Sequence, residues 1–421
     1  MMLVVFMEKF YLCVDLKTFF ASVECVERNL DPFKTFLVVA DSTSKGAICL
    51  AITPKMKSLG IRNRCRMYEI PKNIKPIIAK PRMKKYLEYS SKIYEIYLEY
   101  FSSSDIYIYS IDEVFIDITP YLKMYNKTPL ELAKFIIEKV YEKSKITATA
   151  GVGTNLYLAK IAMDIIAKHN SSNIGYLTET LYKENLWHHT PLHDFWQIGK
   201  STEERLHKLH LKDMYDISCC DEKKLYKEFG VNAKYLIDHS KGIEPLTIND
   251  LKNYVPKQKS ISNSQILPKD YNYLDARKVL IEMVDNIVLR LVEKNLYTDS
   301  FGIFIGYSSL EKPLNFTKKL KKKTNSYRTI LNNVLEEYDY RVQEDYFIRK
   351  IGIYLGNLSK KEYEQLDIFN CYIEEKQDEF LEKTINEIKD KYGKNSILRG
   401  VSYLEGATAK KRNSLIGGHN E

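Results

Sequence analysis

Asp15 closes the apolar run Phe10–Val14 and precedes a helical stretch, while Asp112 and Glu113 fall in a predicted tight turn between Ile106–Ser110 and Val114–Ile118. Carboxylates at the ends of adjacent strands can converge on one point. Hard divalent cations such as Mg²⁺ take oxygen ligands, usually one or two protein carboxylates with substrate phosphates and waters completing the octahedron. Two such ions about 3.5–4 Å apart can activate an attacking hydroxyl and stabilise the leaving oxygen of a phosphoryl transfer. The same residues admit a plainer reading, in which Asp112–Glu113 solvates a hairpin turn and Asp15 caps a helix.

Basic residues supply the complementary chemistry. Lys160 and Lys168 lie two turns apart on one predicted helix beginning near Thr154, whose apolar face is Leu156, Ala159, Met163 and Ile166. Between Lys312 and Arg328 there are seven basic residues and no acid: Lys312, Lys318, Lys319, Lys321, Lys322, Lys323 and Arg328. Such a run is either a solvated face or a grip on phosphates. In Phe195–Leu206, the turn at Gly199-Lys200 would let backbone amides approach a phosphate closely; a plain helical hairpin is the alternative. His188, His189 and His193 invite a zinc reading, but Pro191 interrupts the helix face that the last two would have to share.

These residues need elements to position them. The first 180 residues alternate short apolar runs with helical periodicity, an α/β pattern whose strands of interest are Phe10–Val14, Ile106–Ser110, Val114–Ile118 and Ile146–Val152. Residues 181–250 hold few strand signals and several polar helices, and Leu251–Lys259 reads as a linker. From 260 to 358 a second α+β pattern runs through a strand, a helix at Leu274–Asn295, strands at Ser300–Tyr307 and Leu314–Lys322, a helix at Tyr327–Glu337 and a strand at Phe347–Leu355. The tail carries one amphipathic helix, with Phe380, Leu381, Ile385, Ile388 and Tyr392 on a stripe and Gly393 as its stop.

Composition bounds the reading. The 421 residues hold 64 Lys+Arg against 55 Asp+Glu, a net charge of +9 that favours an anionic partner, and 44% apolar residues, which excludes a disordered or fibrous chain. Seven cysteines with no C-x-x-C pair suggest neither a disulfide partner nor a thiolate zinc site, so a reducing cytoplasm is expected. No stretch of about 18 apolar residues occurs, which speaks against a membrane span, and Met7 is a candidate start.

Three ordered segments carry a resemblance: Val14-Asp15-Leu16-Lys17-Thr18-Phe19-Phe20-Ala21-Ser22-Val23-Glu24; Tyr109-Ser110-Ile111-Asp112-Glu113-Val114-Phe115-Ile116-Asp117; and Ala150-Gly151-Val152-Gly153 leading to Leu158-Ala159-Lys160-Ile161-Ala162. In order and spacing they resemble the signature segments of Y-family translesion DNA polymerases. The likeness runs from Phe10 to Leu358, and the tail is similar to the UmuC-related branch. It implies an α+β multidomain, right-hand polymerase. The palm would be 7–18 and 76–180, the fingers 19–75, the helix-hairpin-helix thumb 181–250, the linker 251–259, the little finger 260–358 and the tail 359–421.

By the same resemblance, Asp15 and Asp112 would bind two Mg²⁺, with Mn²⁺ as a substitute. Glu113 would complete the site and the Leu16 carbonyl would be a further ligand. A primer 3′-hydroxyl would attack the α-phosphate of a dNTP under template direction. The amides of Thr18, Phe19 and Phe20 would cradle phosphate oxygens, Phe20 would be the steric gate against ribose, and Lys160 and Lys168 would lie by the triphosphate. The family's Tyr-x-x-Arg is replaced by Pro54 and Lys57, so Lys57 could offer only a point charge. Gly199, Lys200, Lys318, Lys319, Lys321, Lys322, Lys323 and Arg328 would hold primer-template DNA. Gln365, Leu366, Ile368 and Phe369 resemble the peptide that docks on the sliding clamp (beta subunit), and accessory SOS proteins are further expected partners. Two rivals remain: a non-catalytic scaffold binding DNA and clamp, and a nucleotide cyclase palm.

Overall fold

The computed structural model describes residues 8–41, 46–256, 259–309, 311–360, 371–416 and 419–420. The chain divides into two compact units after Tyr254. Among the described residues no helix is long and apolar enough to cross a membrane.

The first unit is built on β1 (Tyr11–Leu16), whose residues Tyr11 to Val14 are all buried. A strand covered on both faces needs an unbroken apolar run rather than an alternation, and this one has it. After β1 come α1 (Phe19–Val26), β2 (Leu37–Val39), β3 (Ala51–Ile52), α2 (Pro54–Lys57), β4 (Ile77–Ala79), α3 (Met83–Leu98), β5 (Ile106–Ile108) and β6 (Glu113–Asp117). Then follow α4 (Thr119–Tyr125), α5 (Pro129–Ser144), β7 (Ala148–Gly153), α6 (Leu156–Ile161) and β8 (Ile174–Leu177). The main sheet has the order β5-β6-β1-β7-β8, with only β7 and β8 parallel, and a small sheet has the order β3-β2-β4. Leu12 and Val14 pack with residues of α3 and α5, whereas Tyr11 and Cys13 pack with Leu156, Ala159 and Met163 on the opposite face. The two-residue period of a strand therefore puts Asp15 on the α6 side, next after Cys13.

Residues 179–253 form α7 (Glu179–Leu186), α8 (Lys200–Lys208), α9 (Met214–Cys219), α10 (Glu222–Phe229), α11 (Ala233–Ser240) and α12 (Ile248–Asn253). The expected linker at 251–259 is corrected at its start. Thr247 and Asp250 form a reciprocal capping box, and Ile248 is buried beside Tyr11, so the chain stays helical to Asn253.

The second unit contains β9 (Ile261–Tyr271), α13 (Tyr273–Glu293), β10 (Thr298–Tyr307), β11 (Leu314–Thr324), α14 (Tyr327–Arg341), β12 (Ile348–Gly356), α15 (Cys371–Tyr392) and α16 (Ala409–Arg412). Its antiparallel sheet runs β11-β10-β12-β9, with residues of α13 and α14 joining Phe301, Ile303, Ile351 and Ile353 in one core. The stripe expected on the tail helix is also corrected: of its residues Ile385 is buried, but Phe380 and Tyr392 are 74% and 67% exposed, and Asp378 and Glu382 are buried instead. Polar burial is tolerated because Asp378 accepts from Ser326 Oγ (2.6 Å) and Glu382 accepts from Arg399 (2.5 Å).

Candidate active site and nucleic-acid interface

Glycines decide how closely the α6 segment lies on the sheet. A Cβ on Gly151 would stand 2.2 Å from Ala159 O and Met163 N, and one on Gly175 would stand 2.2 Å from Ala162 O. Gly151 and Gly175 are register partners across β7 and β8, so together they form a trough in which the helix backbone rests. The single helix expected from Thr154 is three pieces instead: α6, then a π turn at Ala162–Ile166, then a 3₁₀ turn at Ala167–His169. Ile166, expected on the buried face, is only half-buried.

This close packing delivers Lys160 into the sheet. Its ammonium is buried, 2.7 Å and 2.8 Å from the two Glu113 oxygens, and the Cys13 thiol donates to Glu113 Oε1 (3.2 Å). Burial alone would lower the Lys160 pKa, but Cys13, Glu113 and Asp164 hold it above the usual lysine range. Lys160 thus lies against a carboxylate, and Glu113 is turned toward Lys160.

The other two acids meet at the strand ends. The Leu16 N–H donates to the Asp112 carbonyl (2.9 Å), which ties the Asp112 turn to the end of β1, and Ser110 Oγ donates to Asp112 Oδ1 (2.7 Å). Burial pushes the Asp15 carboxyl up to about 6; Lys168 pulls it down, and Asp112 and Glu113 push it up again. Among the described residues, no three His, Cys, Asp or Glu side chains gather closely enough to hold a metal ion by themselves. The donor set nevertheless suits a hard divalent cation: its groups are oxygens, Asp15 is a half-buried acid with acidic neighbours, and such ions take their remaining ligands from substrate phosphates and water.

Three lysines lie within electrostatic reach of Asp15. Lys168 Nζ lies 3.7 Å from Asp15 Oδ2. Lys57 is held below its ordinary range by desolvation and by the Lys168 charge, with Asp15 opposing and Lys17 adding to the effect. Lys17, whose ammonium donates to Asn173, is lowered likewise by desolvation, with Asp15 raising it and Lys168 lowering it. Lys168 itself is raised, because Asp15 and Asp164 outweigh the cost of its desolvation. Lys17 escaped the sequence reading although it sits two residues after Asp15; its signal was adjacency alone.

The chain leaves β1 through Thr18, whose backbone is left-handed at φ 47°, and α1 begins at Phe19. First-turn amides such as those of Phe19 and Phe20 have no acceptor within their own helix and are suited to an anion. Phe20 stacks on Tyr86, with ring centres 4.4 Å apart and planes at 15°. Tyr86 donates to Glu24 (2.8 Å), a fully buried carboxylate also gripped by Arg82 through two bonds of 2.9 Å. Burial would raise Glu24, but hydrogen bonds from Arg82, Arg28 and Tyr86 hold it below the usual carboxylate range.

Comparison with known proteins settles the family. Residues 14–164 match the impB/mucB/samB family, and residues 258–368 match that family's C-terminal domain. A Bacillus subtilis (strain 168) protein named for UV-damage repair, UvrX, is 30% identical over 419 residues, covering 98% of each chain. The chain belongs to the impB/mucB/samB family of Y-family DNA polymerases. DNA polymerase IV 2 of the same organism is 28% identical over 423 residues, covering 98% of this polymerase and 99% of the relative. The structure titled "Y-family DNA polymerase chimera Dbh-Dpo4(243-245)-Dbh" matches at TM-score 0.64 and 23% identity, over 84% of this chain and 100% of that one, which gives the α+β right-hand polymerase fold. Membership of this family implies divalent-metal dependence.

Elsewhere in the polymerase, the Gly199 turn differs from expectation. Gly199 is extended (φ −88°), and the left-handed residue of the turn is Gln197 (φ 69°). A Cβ on Gly199 would meet nothing within 4 Å. The preceding element is one 3₁₀ turn, Leu192–Asp194, rather than a full helix. His188, His189 and His193 each bond a different carboxylate: Asp213 (2.8 Å), Asp194 (2.9 Å) and Glu203 (2.5 Å).

The basic run is split by the pleat of edge strand β11. Lys319, Lys321 and Lys323 are exposed, while Lys318 and Lys322 are half-buried in the alternate positions. Lys318 pairs with Glu337 (2.6 Å) and Arg328 with Asp378 (3.2 Å), so these two cations already have acidic partners. Gln365, Leu366, Ile368 and Phe369 lie outside the described residues, as does Met7.

Proposed function

We propose that this polymerase extends a primer 3′-hydroxyl on damaged templates, with the nucleotidyl transfer centred on Asp15 and Asp112. The observation that carries the reading is the juxtaposition of these two strand-end carboxylates with Lys17, Lys57 and Lys168: acids to hold cations, ammonium groups to hold a triphosphate. Asp15, Asp112 and the Leu16 carbonyl would hold two Mg²⁺, which lower the pKa of the attacking hydroxyl and neutralise charge on the transferring phosphoryl group. The primer oxygen bonds to the α-phosphorus, the bond to the bridging oxygen breaks, pyrophosphate leaves and the hydroxyl proton passes to solvent. Lys17, Lys57 and Lys168 orient the β- and γ-phosphates, and the first-turn amides of α1 take the remaining oxygens. Glu113, pinned by Lys160, closes the site from the buried side.

Within this reading, 7–18 and 76–180 are palm, 19–75 fingers, 181–250 thumb and 260–358 little finger. Gly199 and Lys200 hold phosphates, the 365–369 peptide docks on a sliding clamp, and the enzyme works in the cytoplasm. A scaffold would have no need to keep Asp15, Asp112 and Glu113 together. A cyclase gives no reason for the basic edge strand. The deciding assay is primer extension by the wild-type chain with Mg²⁺, dNTPs and lesion-bearing or intact templates; no extension on any of them, with DNA binding intact, would overturn the proposal in favour of the scaffold.

Two further outcomes are expected. Phe20→Ala should raise ribonucleotide incorporation about a hundredfold relative to dNTPs, roughly the 2–3 kcal/mol of a lost steric block. Tyr86→Ala should do so more weakly, because it removes the ring against which Phe20 is stacked. Unchanged sugar selection in both would remove Phe20 from the gate. Lys319→Ala/Lys321→Ala/Lys323→Ala should lower the slope of log affinity for duplex DNA against log salt by about 2–3 units, nearly one per lost phosphate contact. Lys318→Ala, already paired with Glu337, should change it far less.

A further inference from the structure

Asp164, in the π turn, stands outside the polymerase chemistry described so far, yet it touches the lysines on either side of that turn. One carboxylate oxygen lies 3.0 Å from Lys160 Nζ and the other 2.7 Å from Lys168 Nζ. Each lysine has one further acidic neighbour, and each of those is a candidate site acid: Glu113 for Lys160 at 2.7 Å, Asp15 for Lys168 at 3.7 Å. Asp164 is therefore the middle of a chain of alternating charges running from Glu113 to Asp15.

Both contacts join residues four apart, the ordinary neighbours on one helical face. On a regular α-helix, at about 100° per residue, positions i, i+4 and i+8 drift by roughly 40° and then 80° around the axis. Here a π turn, which winds the chain less per residue, is followed by the 3₁₀ turn that carries Lys168, which winds it more, and the three side chains remain in contact. The contacts of Ala162 with Gly175 and of Met163 with Gly151 hold the π turn on the sheet.

We propose that Asp164 is a positioning residue that withholds the Lys168 ammonium from Asp15, leaving Asp15 open to a divalent cation while Lys168 remains beside the triphosphate site. The inference rests on the polymerase reading above. An ammonium and a divalent cation compete for the same carboxylate. Lys168 sits at hydrogen-bond distance from Asp164 and at a looser 3.7 Å from Asp15. Remove the Asp164 charge and the acid left beside Lys168 is Asp15, so the ammonium closes on the oxygens the metal needs. An opposite charge at contact shifts a carboxylate's preference by one unit or more, about tenfold in occupancy.

The test is Mn²⁺ binding to the full-length chain, without nucleotide or DNA, read from the electron paramagnetic resonance signal of free Mn²⁺. Asp164→Asn should weaken binding about tenfold, and Asp164→Asn/Lys168→Met should restore it to the wild-type value or better. A purely structural Asp164 would leave the double variant as weak as the single. Lys168→Met alone, a change at an exposed side chain, should tighten Mn²⁺ binding, and this keeps the proposal testable if Asp164→Asn fails to fold. Unchanged affinity in Lys168→Met, or a double variant no better than the single, overturns it. A wild-type chain that extends primers yet shows neither effect sinks only this inference; one that neither binds Mn²⁺ nor extends primers sinks the polymerase reading with it.

Discussion

An Asp112→Asn variant is expected to lose at least about a thousandfold in single-turnover primer extension while keeping the wild-type melting temperature to within a few degrees. The two halves of that expectation come from different parts of the structure. Asp112 lies in a turn, with a serine hydroxyl and no core side chain bonded to its carboxylate. Asparagine has the same shape and can keep one oxygen toward Ser110, so the stability change should stay within the ±0.5 kcal/mol usual for surface positions. The catalytic cost is larger. Asp15 is half-buried and its carboxyl is pushed up to about 6, so a cation in this cleft depends on the second carboxylate for its charge balance. Losing about 4 kcal/mol of transition-state stabilisation corresponds to about a thousandfold in rate. Residual extension within tenfold of wild type, with unchanged melting, would mean that the cations are held elsewhere.

The parts of this site that were legible in the sequence are those carried by local pattern. The run Phe10–Val14 announces β1 because a strand buried on both faces has to be continuously apolar. The turn at Asp112, with Glu113 opening β6, stands out because two acids interrupt two apolar runs. The long elements of the second unit, such as α13, are similarly evident from their periodicity. The rest depended on packing between distant segments. Nothing local in the residues from Leu156 to His169 distinguishes a π turn from an α-helix; the difference comes from Gly151 and Gly175, which let the backbone settle onto the sheet. Tyr86 lies 66 residues after Phe20, so the stack between them is invisible to any window of sequence. The buried face of α15 was misread because apolar periodicity is a poor guide where carboxylates are buried with partners such as Ser326 and Arg399. The alternation within β11 was readable in principle, but counting its lysines as one patch concealed that two of them point away from the other three.

Gly151→Ala is expected to be the most damaging single methyl group in the first unit, lowering stability by on the order of 1–3 kcal/mol and primer extension by roughly a hundredfold. The added carbon would stand 2.2 Å from both Ala159 O and Met163 N, whereas ordinary contact begins near 3.4 Å. Both obstructing atoms are backbone, so no rotamer change relieves the clash and the helix itself has to lift by more than 1 Å. Lys160 rides on that helix between these two contacts, and its bonds to Glu113 are already at 2.7–2.8 Å. Displacement on that scale breaks them, leaving the buried Glu113 carboxylate only the Cys13 thiol and the Lys160 ammonium only Asp164, which is costly in both the folded ensemble and the reaction. Gly199→Ala is the matched control, since its Cβ meets nothing within 4 Å and its backbone is in an ordinary extended conformation. It should melt within about a degree of wild type, as expected of a surface substitution. If Gly151→Ala melted like Gly199→Ala and extended primers like the wild type, the glycine trough could not be what seats Lys160 against Glu113, and the helix would have to be positioned by its contacts with Tyr11 and Cys13 instead.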